Sequence, residues 1–269
     1  MEVAAIRSFE HAGWERAASS YESAFATATS QFIPALLDAA DVRRGRLVLD
    51  VACGPGLVAA ASVERGAQVR GLDFSAAMLG VARARHPAIP FDQGDAEALP
   101  YADAGFDAVV SNFGIHHVPR PAVALEQAHR VLRSGGALAF SIWAAPGENI
   151  AWKLVFDAIA RCGDMSASHA PAPGGGFATQ ADCTIALERA GFVNIGVRKV
   201  TGVWRQPDGR ALLGALRSGT ARMAALIESQ PVEAIPAIIA DVDRAGVAYR
   251  ESGGMVIPLA AFVAHGVKP

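Results

Sequence analysis

Leu47-Val-Leu-Asp-Val-Ala-Cys-Gly-Pro-Gly-Leu-Val-Ala59 decides how the chain is read. Leu47 to Val51 is an almost wholly apolar, strand-length run, the pattern of a strand buried on both faces of a parallel sheet. Gly54-Pro-Gly56-Leu-Val-Ala59 then fits G-x-G-x-x-G/A between that strand and a helix. Glycines there let a ligand approach the backbone, and the helix start offers unpaired N–H groups. A tight strand-to-helix turn without a ligand uses the same residues, so the loop alone is weak evidence.

Downstream, the strand and helix patterns alternate. Val69 to Asp73 reads as a second strand ending in an acid, and Ser75 as the N-cap of a helix over 76–85. A weaker third strand lies at Ile89 to Gly94 and a fourth at Phe106 to Asn112. A helix over 121–131, closed by Ser134-Gly-Gly, leads to a fifth strand over 137–143. Such alternation implies right-handed crossovers and a mainly parallel, doubly wound α/β sheet. Upstream, residues 10–40 read as amphipathic helix, with Trp14, Ala17, Ala18, Tyr21, Ala24 and Phe25 at spacings of three and four.

The rhythm changes after residue 145. A helix over 150–161, a loose Pro- and Gly-rich segment from His169, and a helix over 180–190 precede a long strand over 193–204. Residues 208–247 read as helical with breaks at Pro231 and Pro236, and 254–267 as the last strand. The expected layout is one domain. It has an N-terminal helical cover (1–40), a core (41–145), a lid segment with the sixth strand (146–207), a helical insertion (208–247) and a final strand (248–269).

Asp50 stands inside the first strand, four positions before Gly54. A carboxylate there is costly without a partner, and beside the loop it suits a ligand with a cationic amino group better than a pyrophosphate. Asp73 ends the second strand, where a carboxylate can hold a ribose diol. Asp95, in Gly94-Asp-Ala-Glu97, follows the third. The three acids share the carboxyl edge of the sheet, where open α/β sheets bind ligands.

These segments resemble the successive motifs of the class I S-adenosylmethionine-dependent methyltransferases, UbiE-like small-molecule branch. Gly71-Leu-Asp-Phe-Ser75, Gly94-Asp-Ala-Glu-Ala-Leu-Pro100, Phe106 to His117 and Val131-Leu-Arg-Ser-Gly-Gly136 carry the likeness together with Val48 to Gly56. It covers residues 10–145 strongly and the remainder only in layout. The resemblance implies a seven-stranded sheet of order 3-2-1-4-5-7-6 with strand 7 antiparallel, and S-adenosyl-L-methionine as cofactor. It implies that Asp50, Gly54 and Gly56 flank the methionine part and that Asp73 holds the ribose. Phe74 and Met78 would lie against the adenine, with Asp95 and Ala96 on its edge, and Asn112 would line the methionine end.

His116 and His117 follow the fourth strand, and either could act as a general base, with His117 preferred. Tyr21, Phe113, Trp143 and Phe177 are the candidate acceptor contacts, under a cover that closes to exclude water. H-E-x-x-H and H-x-x-x-H are absent, so no metal is expected.

The chain has 269 residues, 52% hydrophobic and 19% charged, with net charge −2 and mean hydropathy +0.26. This excludes wholesale disorder, and without a basic face it argues against nucleic acid. No apolar run reaches the roughly 20 residues of a membrane helix. Met1-Glu-Val-Ala-Ala-Ile-Arg-Ser8 lacks an apolar stretch, and three scattered cysteines form no framework, so a cytoplasmic enzyme is expected. A homodimer stays open. The reading is methyl transfer to a small apolar or aromatic acceptor, with O-methylation favoured over C- or N-methylation. The competing readings are an NAD-dependent oxidoreductase and a non-catalytic S-adenosylmethionine-binding module.

Overall fold

Strands that are apolar on both faces require helices on both sides, and the computed structural model has that arrangement. It describes residues 2–145, 147–168, 170, 177 and 179–269. The core strands are β1 (Leu47–Val51), β2 (Gln68–Asp73), β3 (Phe91–Gln93), β4 (Phe106–Asn112) and β5 (Leu132–Trp143). They are followed by β6 (Val193–Gln206), β7 (Arg250–Glu251) and β8 (Gly254–Val267). The order is β3-β2-β1-β4-β5-β8-β6, with the two-residue β7 folded onto β8. Counted without β7, this is the expected 3-2-1-4-5-7-6. Pairing is parallel from β3 to β5, while β8 runs antiparallel to both β5 and β6.

The helices are α1 (Glu2–Ala17), α2 (Thr27–Thr29), α3 (Ile33–Ala39), α4 (Leu57–Glu64), α5 (Ala76–Arg85) and α6 (Pro121–Val131). After the core come α7 (Ile150–Cys162), α8 (Gln180–Arg189), α9 (Gly209–Gly219), α10 (Ala221–Glu228) and α11 (Ile235–Gly246). Alternate strand residues enter opposite cores, as the period of two dictates. Val109, Leu138, Phe140 and Phe262 pack with α6 and α8. Val48, Val110, Ala139 and Val263 pack with α3, α4 and α5. A third core joins α7, α9, α10 and α11 to Phe25, Phe32 and Trp204.

Several local expectations differ from the structure. The first helix begins at Glu2, not near residue 10. Ser134-Gly-Gly does not cap α6, because β5 already starts at Leu132. Gly135, at φ +75°, donates its N–H to the Lys268 carbonyl. The Lys268 Nζ in turn donates to the Leu132 carbonyl, so the chain's end competes with the cap and extends the strand. In the 208–247 segment the helix breaks at Thr220, which ends α9 and starts α10. Pro236 lies in the first turn of α11, where its missing N–H costs nothing.

The apolar face of the segment is buried: Leu212, Leu213, Leu216, Met223, Leu226 and Ile227 all sit in the third core. No single helix among the described residues is long and apolar enough to cross a membrane. Ala221–Glu228 and Val232–Tyr249 pass that test only as a pair, bent by 100°. Of the expected lid, residues 169, 171–176 and 178 lie outside the described residues.

Candidate active site

The strand-to-helix loop after β1 is held by its own backbone. Gly56 accepts a φ of +86° at the start of α4, and a Cβ there would stand 2.9 Å from the Phe91 ring. A Cβ added at Gly54, at φ +52°, would meet nothing nearer than the Met78 sulfur at 4.0 Å, which leaves open space for a ligand. Ala52 is also left-handed, at φ +55°. Its methyl is accommodated because residue 114 is glycine, where a Cβ would stand 2.5 Å from that of Ala52. An alanine in this region costs about 1–2 kcal/mol, against about 0.5–1 for the greater freedom glycine loses on folding. Ala52→Gly should therefore stabilise the protein by up to about 1 kcal/mol, read as a raised denaturation midpoint in urea. An unchanged or lowered midpoint would show that the strain is relieved elsewhere.

Above the loop opens a cavity with about 950 Å³ of empty space, its mouth included. Asp50, Cys53, Gly54, Asp73, Phe74 and Met78 line one side, and Gly94, Asp95 and Ala96 continue it. Asn112, Phe113, Gly114 and His117 line the other, with Arg7, Trp14 and Tyr21 from the N-terminal cover.

Both Asp50 oxygens are buried without a hydrogen-bond partner. Burial, against a weaker pull from the Ala59 backbone N–H and with the nearby Asp73 charge, pushes its carboxyl well above the usual range. A cationic amino group would relieve that cost. Asp73 accepts from the Gly54 N–H at 2.8 Å and the Ser75 N–H at 2.9 Å, tying the loop to β2. Burial outweighs these bonds and raises its pKa to about 6. Asp95 accepts from the Glu97 N–H at 2.9 Å and pairs with Arg7 at 3.1 Å.

The raised acid at Asp73 has a sign that can be measured. Its folded pKa exceeds the ordinary 3.8, so its contribution to stability is complete below about pH 4 and lost as pH rises through about 6. The difference amounts to about 3 kcal/mol. Melting curves should show wild type losing stability relative to Asp73→Asn across that window. Parallel curves would mean Asp73 titrates normally.

The side chain of Asn112 is engaged elsewhere: it accepts from Ser141 Oγ at 2.6 Å and donates to the Thr29 carbonyl at 3.2 Å. Its backbone is what remains for a ligand. Tyr21 faces the cavity with its hydroxyl 3.1 Å from Thr29 Oγ1, and burial pushes its pKa to about 12. Cys53 is buried beneath the loop, where desolvation, and then Asp50 and Asp73, hold its thiol protonated.

His117 lies at the rim with Nδ1 3.1 Å from Glu10 Oε2, and its ring meets Trp14 edge-on at 4.9 Å. Glu10 is fully buried on α1, and Arg222 of α10 approaches its other oxygen at 2.7 Å. Burial opposes ionisation of Glu10. His117 and Arg222, with the Trp14 indole N–H, outweigh it and hold the carboxyl below its ordinary range. His116 sits behind, its ring 4.2 Å from that of His117. Its Nδ1 is buried and unpartnered, and desolvation, then the charges of His117 and Arg222, keep the imidazole neutral.

The structure thus gathers Asp50, Gly54, Asp73, Phe74, Met78, Asp95, Ala96, Asn112, Tyr21, Phe113 and His117 around one cavity. Gly56 and His116 support it from behind. Two of the expected acceptor contacts stand apart from the lining. Trp143 stacks flat on Phe113 at 3.9 Å, beneath the cavity wall. Phe177 packs against Phe140 at 5.7 Å, in the core under α6 and α8. Arg7, Glu10 and Arg222 escaped the sequence reading.

A methyltransferase domain model matches residues 49–140, the stretch that carries the acids and the loop. The UbiE ubiquinone/menaquinone C-methyltransferase of Brucella anthropi is 37% identical over 179 residues, 60% of this chain and 68% of that protein. The chain belongs to the class I S-adenosylmethionine-dependent methyltransferases. Within this family it lies on the UbiE-like branch.

The demethylmenaquinone methyltransferase of Paenarthrobacter aurescens is 41% identical over 111 residues, 41% of this chain and 44% of that protein. The malonyl-[acyl-carrier protein] O-methyltransferase of Pseudescherichia vulneris is 40% identical over 147 residues, 54% of this chain and 58% of that protein. The match thus spans about half the length of these two relatives. The crystal structure of YcgJ from Bacillus subtilis superposes with a TM-score of 0.59 at 19% identity, covering 88% of this chain and 98% of that one, a likeness of fold.

Proposed function

We propose that the protein transfers a methyl group from S-adenosylmethionine to a hydroxyl on a small, apolar or aromatic acceptor. The orphaned buried carboxylate of Asp50 supports the cofactor assignment, because a cationic amino group is what that site lacks. Asp73 at the β2 edge would hold the ribose hydroxyls. Phe74 and Met78 would sandwich the adenine, whose edge meets Asp95 and the Ala96 backbone. Bound there, the cofactor supplies an activated methyl group for in-line displacement.

The rest is done by the chain. Trp14, Tyr21 and Phe113 give the acceptor apolar walls and exclude water. His117 takes the proton from the acceptor hydroxyl. The observation that carries O-methylation is this histidine at the rim with a buried carboxylate at its Nδ1. The same pair would also prepare a hydroquinone for C-methylation, and the relatives include a C-methyltransferase and an O-methyltransferase. The preference for oxygen rests on a base placed for a hydroxyl.

Incubation with methyl-labelled S-adenosylmethionine and a panel of phenols, hydroquinones, carboxylic acids and amines tests the reading. It expects labelled methyl ethers from hydroxylated aromatics. Label found only on amines or on ring carbon would overturn the O-methyl assignment.

A further inference from the structure

The N-terminal helix brings a carboxylate to His117 from outside the sheet. Glu10 is fully buried yet ionised, and it is the only acid on α1 held in this way among the described residues. Its two oxygens have divided roles. One faces the Arg222 guanidinium at 2.7 Å. The other accepts from the Trp14 indole N–H at 3.1 Å and stands 3.1 Å from His117 Nδ1, a charge contact off the line of the ring N–H. Three elements meet at this carboxyl: α1, the insertion helix α10 and the turn after β4.

A carboxylate at Nδ1 makes that nitrogen the proton carrier and leaves Nε2 with its lone pair. Isolated imidazoles have no bias toward Nδ1–H, and in the Nε2–H tautomer Nε2 itself could only donate. A nearby anion also stabilises the imidazolium formed when a proton is taken up. His117 and then Arg222 hold the Glu10 carboxyl below its ordinary range in spite of its burial, since a buried carboxylate is stable only when paired. His116, held neutral, adds no competing charge from behind.

We infer that Glu10 is a positioning residue for methyl transfer. Paired on one oxygen with Arg222 of the helical insertion, it fixes His117 in the Nδ1–H tautomer and so makes Nε2 the base. This rests on the proposed methyltransferase reading and extends it, because it makes α1 and α10 part of the active site. The groups facing His117 are Glu10 and Trp14 from α1 and His116 from its own turn, with Arg222 of α10 on the far oxygen of Glu10.

Glu10→Gln is the informative variant. The amide NH₂ cannot face the Arg222 cation, so the amide oxygen turns to Arg222 and the NH₂ to His117 Nδ1. The imidazole must then accept at Nδ1 and carry its proton on Nε2. Long-range ¹H–¹⁵N spectra of histidine-labelled protein, with His117 assigned by its loss in His117→Gln, read the tautomer directly. Wild type should show Nδ1–H at neutral pH and Glu10→Gln should show Nε2–H. With a phenol methylated by wild type, Glu10→Gln should lower kcat by about 10²-fold or more, leave KM nearly unchanged, and be partly rescued by Glu10→Asp.

An Nε2–H tautomer in wild type, or a Glu10→Gln protein with unchanged tautomer and kcat, would overturn the inference. If Glu10→Gln does not fold, Arg222→Gln gives the same reading. Removing the cation lets Glu10 take up a proton and should shift the His117 tautomer toward Nε2–H, and an unchanged tautomer again overturns the inference. Titrating S-adenosylhomocysteine into the same samples separates the two claims. Absent binding removes the methyltransferase reading, whereas the tautomer result judges the Glu10–His117 pair on its own.

Discussion

Replacing Asp73 by alanine should weaken S-adenosylhomocysteine binding by about 1.5–3 kcal/mol, or roughly ten- to a hundredfold. The carboxylate ends β2 at the cavity and already accepts two backbone N–H groups, from Gly54 and Ser75. Ribose hydroxyls donating to it would make charge-assisted bonds in a buried setting, which are the stronger kind. The substitution also releases the glycine loop, so part of the loss reflects a looser site. Asp73→Asn, which can keep one acceptor for the loop, separates the two contributions. Glu228→Ala, at the exposed end of α10, serves as the control and should bind like wild type. Calorimetry showing equal affinities for Asp73→Ala and Glu228→Ala would mean that the β2 edge does not hold the ribose.

His117→Ala should lower kcat by about 10²-fold or more for an acceptor whose hydroxyl is protonated at the assay pH, with cofactor affinity nearly unchanged. A positioned base contributes about 10²–10⁴-fold, and orientation alone can contribute as much. Acceptor acidity distinguishes them. An acceptor already ionised has no proton to give up, so the loss should shrink along a series of falling acceptor pKa. A parallel drop across the series would reject the base and leave His117 a packing residue between Trp14 and His116. Chelator is present throughout, and activity abolished by it would reject a metal-free mechanism.

The sheet and its acid edge were legible because their signals are local. Asp50 and Gly54 lie in one motif, and a strand followed by a glycine turn fixes their relation whatever the rest of the chain does. Asp73 and Asp95 follow from the same rule applied to the next two strands. The cover was less legible, since its partners are far apart in sequence. Arg7 meets Glu97 across 90 positions, and nothing near either residue announces the other. An acid on an amphipathic helix is ordinarily solvated, so nothing local in the sequence marks Glu10 as buried. Only the packing of α1 against α10 buries it, and the matching cation, Arg222, lies on a helix whose apolar face drew the attention.

Aromatic residues were ambiguous for a different reason. Their size says that Trp143 and Phe177 cover apolar surface but not in which layer, and both end half-buried. Both face neighbouring rings in the structure, Phe113 and Phe140, instead of the cavity. At Ser134-Gly-Gly two valid local rules competed. Glycine favours a helix end, but the edge formed by Lys268 offered strand partners, and the longer pairing won.

In the proposed function the three acids at the carboxyl edge hold S-adenosylmethionine. Isothermal titration of the purified chain with S-adenosylhomocysteine and, separately, with NAD tests it most directly. S-adenosylhomocysteine should bind with micromolar affinity at one site per chain, more weakly as pH falls through about 6 where Asp73 takes up its proton, and NAD should not bind. Binding of NAD without binding of S-adenosylhomocysteine would contradict it.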